Sequence, residues 1–270
     1  MDTHHHVGTL EALGITAPAS PGGDDHGRLE VETRLAAMDR LGVDQAVVIP
    51  GHGYLRPNGL QDTRRINDEI AMYRDRMPER FPAAVGIVEP LYGAAGLDEL
   101  DRIATDLRLV GVSFHVRFQG VSTDSPLVTA LVRRIAELGL VPYVHAISGV
   151  PDEALWQVQE LARSIPDTTV VVLDGFSSFE QSRQVLPVAE ATPNLVFDTS
   201  LSYTFTFIEQ LVRHVGADRV VFGTDHYSGA RGPERNHLLD ELLASGLPDD
   251  AKRAILADNI RSVLHLPTAL

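Results

Sequence analysis

The chain has 270 residues, with 23 Lys and Arg against 37 Asp and Glu for a formal net charge of −14 at pH 7, and no cysteine. Such a balance excludes a nucleic-acid groove or an anionic membrane surface as partner, since both need clustered positive charge to displace counterions. The missing thiols exclude disulfides, a thiolate nucleophile and a cysteine-ligated zinc, so any bound metal must use histidine, carboxylate or water.

The N-terminus, Met1-Asp2-Thr3-His4-His5-His6-Val7, lacks the basic and apolar regions of a secretory signal. No apolar stretch approaches the roughly 18 to 20 residues needed to cross a bilayer, so cytoplasmic residence is expected. From there the chain alternates short β-branched runs with longer amphipathic segments. Strands are expected at Met1 to Val7, Gln45 to Ile49, Ala83 to Val88, Val110 to His115, Val141 to Val144, Thr169 to Leu173, Leu195 to Thr199 and Val220 to Gly223. Helices are expected near 30–41, 61–76, 97–107, 126–138, 152–164, 179–190, 205–214 and 234–245, with a closing helix over Asp249 to Leu264. Gly14 to Gly27 reads as a long loop between the first strand and the first helix.

Runs such as Ala46-Val47-Val48-Ile49 and Val170-Val171-Val172-Leu173 are apolar on both faces, as in parallel strands packed within and covered outside. Unbroken βα alternation with no linker predicts an α/β fold, a single-domain (β/α)8 TIM barrel over residues 1–270. An open doubly wound sheet is the alternative, weakened because no Gly-x-Gly-x-x-Gly follows a strand.

In such a barrel the C-terminal strand ends converge on one mouth. His4 and His6, two apart, share a face of the first strand; the fourth ends in His115, the fifth in His145, and the eighth runs into Gly223-Thr224-Asp225-His226. His4, His6, His145 and Asp225 form a thiolate-free ligand set suited to one divalent ion, with zinc the expected metal. Blander readings exist for each: a tag fragment for the histidine triplet, a hydrogen-bonded core residue for His145, a helix N-cap for Asp225. Coincidence at three strand ends favours the metal.

These residues resemble the amidohydrolase superfamily, and within it the amidohydrolase-related group of the aminocarboxymuconate-semialdehyde decarboxylases and dicarboxylate lactone hydrolases. The resemblance rests on Asp2-Thr3-His4-His5-His6, Leu35 to Val48, Val110 to His115, Val141 to His145, Pro193 to Asp198, Gly223-Thr224-Asp225 and Asn259-Ile260-Arg261, which span nearly the whole chain. It implies one divalent cation on His4, His6, His145 and Asp225, with Asp225 also handling a proton. The family usually ends its sixth strand with a histidine that activates water or polarises substrate. This chain reads Val172-Leu173-Asp174-Gly175-Phe176 there. Asp174 either stands in for the imidazole or caps the loop, and His115 is the other substitute.

Two chemistries follow. Metal lowers the pKa of bound water from about 15.7 toward about 7, and Asp225 can take its proton during attack on an amide or lactone. The same mouth can instead promote carbon dioxide loss from an unsaturated or aromatic acid, with His115 supplying a proton to carbon. Hydrolysis of a C–N or C–O bond is the first expectation, decarboxylation the alternative, and binding of a small acid without turnover a third. Both reactions call for a small carboxylate or carbonyl substrate and an anchoring group. Arg117, two residues beyond His115, is the leading candidate, followed by His226, Tyr54, Arg56 and Arg231. The loop Gly51-His52-Gly53-Tyr54 has the glycines to flex over the mouth. A homodimer is expected from base rates for barrels.

Overall fold

Runs of Val, Ile and Ala that are apolar on both faces become strands covered on both faces. In the computed structural model, which describes residues 1–7, 25–227 and 236–267, they are β1 (Asp2–Val7), β2 (Ala46–Pro50), β3 (Ala83–Ile87), β4 (Gly111–Phe114), β5 (Val141–His145), β6 (Val170–Leu173), β7 (Leu195–Asp198), β8 (Val220–Val221) and β9 (His226–Tyr227). All pair in parallel and in chain order from β1 to β8, and β9 returns to β1 with His5 beside His226 and His6 beside Tyr227. β8 and β9 are thus two halves of one eighth strand, the first bonded to β7 and the second to β1. Together they close a single-domain (β/α)8 barrel.

The break between the halves is held by specific bonds. Thr3 N donates to Phe222 O (2.8 Å), and the buried Asp2 carboxylate accepts from Thr224 N (3.0 Å) and Thr224 Oγ1 (2.6 Å). Beyond Val221 the ladder to β7 ends: Phe222 O accepts from Thr3 N of β1, Phe222 N donates to Ile255 O, and Thr224 is held by the Asp2 side chain.

Period two then sorts the side chains. Val47, Ile49, Val85, Tyr143, Val171, Leu173 and Val221 fill the barrel, while Val48, Ala84, Val112, Phe114, Val144, Val172 and Phe197 face the helices. Those helices are α1 (Asp25–Leu41), α2 (Leu60–Arg76), α3 (Ala94–Thr105), α4 (Val116–Gln119), α5 (Pro126–Glu137), α6 (Leu155–Arg163), α7 (Phe179–Ala191), α8 (Thr206–Val215), α9 (His237–Ala244), α10 (Asp249–Arg253) and α11 (Asn259–Val263). Side-chain caps start several of them: Ser125 accepts from Val128 N with Pro126 following, and Ser178 accepts from Gln181 N.

Three departures from the sequence pattern have local causes. An additional short helix, α4, follows β4 directly. Residues Pro151–Glu153 form a 3-10 turn, so the helix expected from 152 begins at Leu155. The closing helix is interrupted by a π turn at Ala254–Asp258, which frees Ile255 O to accept from Phe222 N (3.0 Å) and Leu256 O to accept from the Met1 amino group (2.6 Å). Ile260 and Leu264 plug the barrel end opposite the mouth. The loop expected from Gly14 lies outside the described residues as far as Asp24, with α1 beginning at Asp25, and Arg231 lies outside them as well. No described helix is long and apolar enough to cross a membrane.

Candidate metal centre

His4 and His6 point into the barrel at the mouth end of β1, and their Nε2 atoms stand 2.9 Å apart, each 3.4 Å from Asp225 Oδ1. His145, last residue of β5, brings its ring centroid to 5.2 Å from that of His4 and 5.8 Å from that of His6. One ring nitrogen from each of the three lies within 4.8 Å of the others. The strand-end histidines and Asp225 therefore do converge.

The far nitrogens decide which tautomer each ring adopts. His6 Nδ1 donates to Pro50 O (3.2 Å) and His145 Nδ1 to Phe114 O (2.8 Å), and a carbonyl can only accept, so both rings present an Nε2 lone pair inward. His4 Nδ1 donates to Asp198 Oδ2 (2.8 Å), with Ser200 Oγ at 3.1 Å. Carbonyls and carboxylates behind imidazoles are the outer support that metal-ligating histidines need. His145 Nε2 is buried with no protein partner. Three inward nitrogens beside a carboxylate fit a divalent cation, and His4, His6, His145 and Asp225 could hold one.

Gly223-Thr224-Asp225 is built for this position. A Cβ on Gly223 would lie 2.7 Å from Asp198 Oδ2 and 3.0 Å from His4 Cβ, so only glycine lets the eighth strand pass this close. Thr224 ties to Asp2, as described above. Asp225 has φ of 51° in the left-handed region, and β9 follows it, so it caps no helix. Burial pushes its carboxyl up, but His4 and His6 outweigh that and hold it below the usual carboxylate range.

Asp174, just beyond β6, also has left-handed φ, 63°. It lies at the mouth: one carboxylate oxygen is within 4.8 Å of ligand atoms of His4 and Asp225. Its amide donates to Asp198 Oδ1 (3.0 Å), and Ser200 Oγ lies 2.8 Å from Asp174 Oδ1 and 2.6 Å from Asp198 Oδ2. Burial, with Asp225 and Asp198 nearby, pushes the Asp174 carboxyl up to about 8 against the opposing charge of His4. The three carboxylates likewise overcome the burial of His4 and raise its imidazole to about 10.

Two further imidazoles, His115 and His52, adjoin His145. The His115 ring, between β4 and α4, stacks on it at 4.1 Å and 5°, and His115 Nδ1 donates to Glu153 Oε1 at 2.6 Å. His52 is buried rather than draped over the mouth: its ring lies 5.5 Å from that of His145, with Nε2 3.0 Å from Ser113 Oγ. Burial pushes His52 and His145 well below the usual histidine range.

The anchoring candidates fare differently. His226 sits beside His5 in register, ring centroids 5.1 Å apart, and so faces outward from the barrel wall, away from His6. Tyr54 Oη donates to Glu89 Oε1 (2.7 Å), and the Arg56 guanidinium covers the Tyr54 ring at 4.1 Å and pairs with the same oxygen at 2.8 Å. Arg117 is exposed, its guanidinium 4.7 Å from the Phe118 ring centroid. Strand alternation does not carry from His115 to Arg117, because β4 ends at Phe114 and α4 begins at Val116.

Asp198, Ser200, His52 and Glu153 were not among the expected site residues. Asp198 ends β7 on the inner face, so the strand-end rule extended to the seventh strand finds it. Glu153 carries no such signal, lying inside what reads as a helix.

The family profile described as Amidohydrolase matches residues 1–266. Among curated proteins, none matches the sequence. The fold is similar to that of 5-carboxyvanillate decarboxylase from Sphingomonas paucimobilis, at 19% identity and TM-score 0.74 over 98% of each chain. It is similar to a dihydroxybenzoic acid decarboxylase from Polaromonas sp. JS666 with bound manganese and 2-nitroresorcinol, at 15% identity and TM-score 0.67 over 99% of this chain and 97% of that one. It is also similar to 4-oxalomesaconate hydratase from Rhodopseudomonas palustris, at 16% identity and TM-score 0.70 over 98% of this chain and 95% of that one. At these identities the likeness is one of fold.

Proposed function

Because the chain belongs to the amidohydrolase family, we propose that it is a metal-dependent decarboxylase of a small aromatic or unsaturated carboxylate. The observation that carries this reading is an imidazole, His115, stacked at 4.1 Å on His145 beside the inward-facing nitrogens of His4 and His6. It is a proton carrier next to a site suited to a cation. The decarboxylases among the structural neighbours, one crystallised with manganese, support it. Hydrolysis, the first expectation from sequence, is less well supported, because two of the three similar folds described above are decarboxylases.

A divalent ion on His4, His6, His145 and Asp225, manganese or zinc, would supply Lewis acidity toward the oxygens of the bound acid. The protein's own groups do the rest. Pro50 O, Phe114 O and Asp198 hold the three imidazoles in their inward tautomers. Asp225 contributes a fixed negative charge opposite His4, and Asp174 with Ser200 keeps the sixth-strand side of the mouth polar. His115 delivers a proton to the carbon that bears the carboxylate, forming a C–H bond. The C–C bond then breaks, its electron pair returns to the unsaturated system, and carbon dioxide leaves. Water restores the proton to His115.

Chelator-treated protein reloaded with Mn2+ or Zn2+ and given 2,6-dihydroxybenzoate, 5-carboxyvanillate and a set of unsaturated acids, lactones and amides tests the proposal. Carbon dioxide release from one or more acids, lost on chelation, is expected. Acid release from lactones or amides with no carbon dioxide from any acid would restore the hydrolytic reading.

A further inference from the structure

We propose that Glu153 is the positioning residue for His115, holding its ring in one tautomer and one orientation at the mouth; its catalytic consequence rests on the decarboxylase reading above. Glu153 ends the 3-10 turn after β5, and its side chain is fully buried. A buried carboxylate is costly unless its charge is matched. Oε1 accepts from His115 Nδ1 at 2.6 Å and from Arg117 N at 3.0 Å, while Oε2 has no partner. The Arg117 guanidinium lies instead over Phe118. His115 is thus the ionisable group that Glu153 faces at hydrogen-bond distance.

Both ends of this pair are fixed in place. The turn is braced by Thr123, whose N and Oγ1 donate to Asp152 O at 2.9 and 3.0 Å, and by Ile147 N, which donates to Glu153 O at 3.2 Å. His115 is braced by its own amide, which donates to Gln119 Oε1 at 3.0 Å, while Gln119 Nε2 donates to Val88 O at 2.9 Å. The ring is held between the His145 face and Phe118, whose centroid lies 4.7 Å away at 86°. With Nδ1 committed to a carboxylate, the proton on that nitrogen is shared with Glu153, and Nε2, which no described residue bonds, is the nitrogen left for exchange with substrate. A carboxylate behind an imidazole fixes which nitrogen carries the proton and which way the ring faces.

A structural alternative is that Glu153 only caps α4 through Arg117 N. Glu153→Gln separates the two, because the amide oxygen still accepts from Arg117 N, whereas the bond from His115 Nδ1 loses the charge assistance that holds the ring firmly. In Mn2+-loaded protein, Glu153→Gln is expected to lower kcat for carbon dioxide release about 10- to 100-fold, with KM, manganese content and Tm unchanged. His115→Gln should lose at least as much, and the double variant no more than His115→Gln alone. In substrate-free protein with 15N-labelled histidine, the downfield Nδ1–H proton of His115 should move upfield in Glu153→Gln. An unmoved resonance, or losses that multiply in the double variant, would overturn the assignment. A moved resonance in a protein that releases carbon dioxide from no acid would keep the Glu153–His115 pair and overturn the decarboxylase reading.

Discussion

The Nε2 atoms of His4 and His6 face one another at 2.9 Å, a separation that two imidazole lone pairs cannot share without a proton or a metal ion between them. In the protein without metal the proton belongs to His4. Burial opposes its charge, but the carboxylates of Asp225, Asp174 and Asp198 prevail and raise it to about 10. Metal must displace that proton. Uptake of Mn2+ or Zn2+ near pH 7 should therefore release about one proton per ion, and affinity should strengthen by up to about tenfold per pH unit from 6 to 8. Titration calorimetry in two buffers of different ionisation enthalpy counts the protons; a count of zero contradicts this account of the pair.

His145→Ala and His226→Ala should behave oppositely although both histidines are buried beside the eighth-strand or fifth-strand mouth positions. His145 Nε2 points among the inward nitrogens without a partner, so its removal should leave less than about 0.1 equivalent of metal after desalting and abolish turnover. His226 packs against His5 on the outer face, so its removal should keep metal and KM and cost about 1–3 kcal/mol of stability. Metal analysis beside thermal melts separates them, and metal loss in His226→Ala would place that ring at the mouth after all.

Asp174→Asn preserves the Ser200 contact and suits the left-handed backbone, since asparagine adopts it readily. It removes only the ionisable oxygen. Metal content should be retained, and kcat should fall about tenfold or more only where the carboxylate stands in for the sixth-strand imidazole. A rate equal to that of the unaltered protein would return Asp174 to bracing the loop.

Gly223→Ala would drive a methyl group to 2.7 Å from Asp198 Oδ2 and 3.0 Å from His4 Cβ. Neither neighbour can yield without turning the His4 ring. A loss of about 1–3 kcal/mol in stability is expected, together with weaker metal binding. Denaturant melts and metal titration on the same variant measure both. A variant with native affinity would show that His4 tolerates displacement.

Much of the centre was legible in the chain. His4 and His6 two apart, His145 at a strand end and the Gly-Thr-Asp ending name four positions that meet in space, and the first, fifth and eighth strands could bring them together only through closure of a barrel. Asp174 was legible as a departure at the sixth strand. His226 lies on the outer face because period two, counted from the inward Val221 through Asp225, turns the next residue away from the mouth, so nearness to Asp225 in sequence is not nearness to the site. Arg117 was misjudged in its facing, since the alternation ended one residue before His115.

Periodicity belongs to the covalent chain: two residues per repeat in Val47-Val48-Ile49 and in Val170-Val171-Val172 dictate which side chains look inward wherever the strand is placed, and turn residues dictate where it stops. The barrel and the inward histidines follow from that local rule. The Glu153–His115 contact across 38 residues, the burial of His52, and the sharing of Ser200 between Asp174 and Asp198 do not. Each depends on how loops from neighbouring strands lie against one another, and those positions are chosen by packing and by the burial cost of unpaired polar groups rather than by any repeat along the chain.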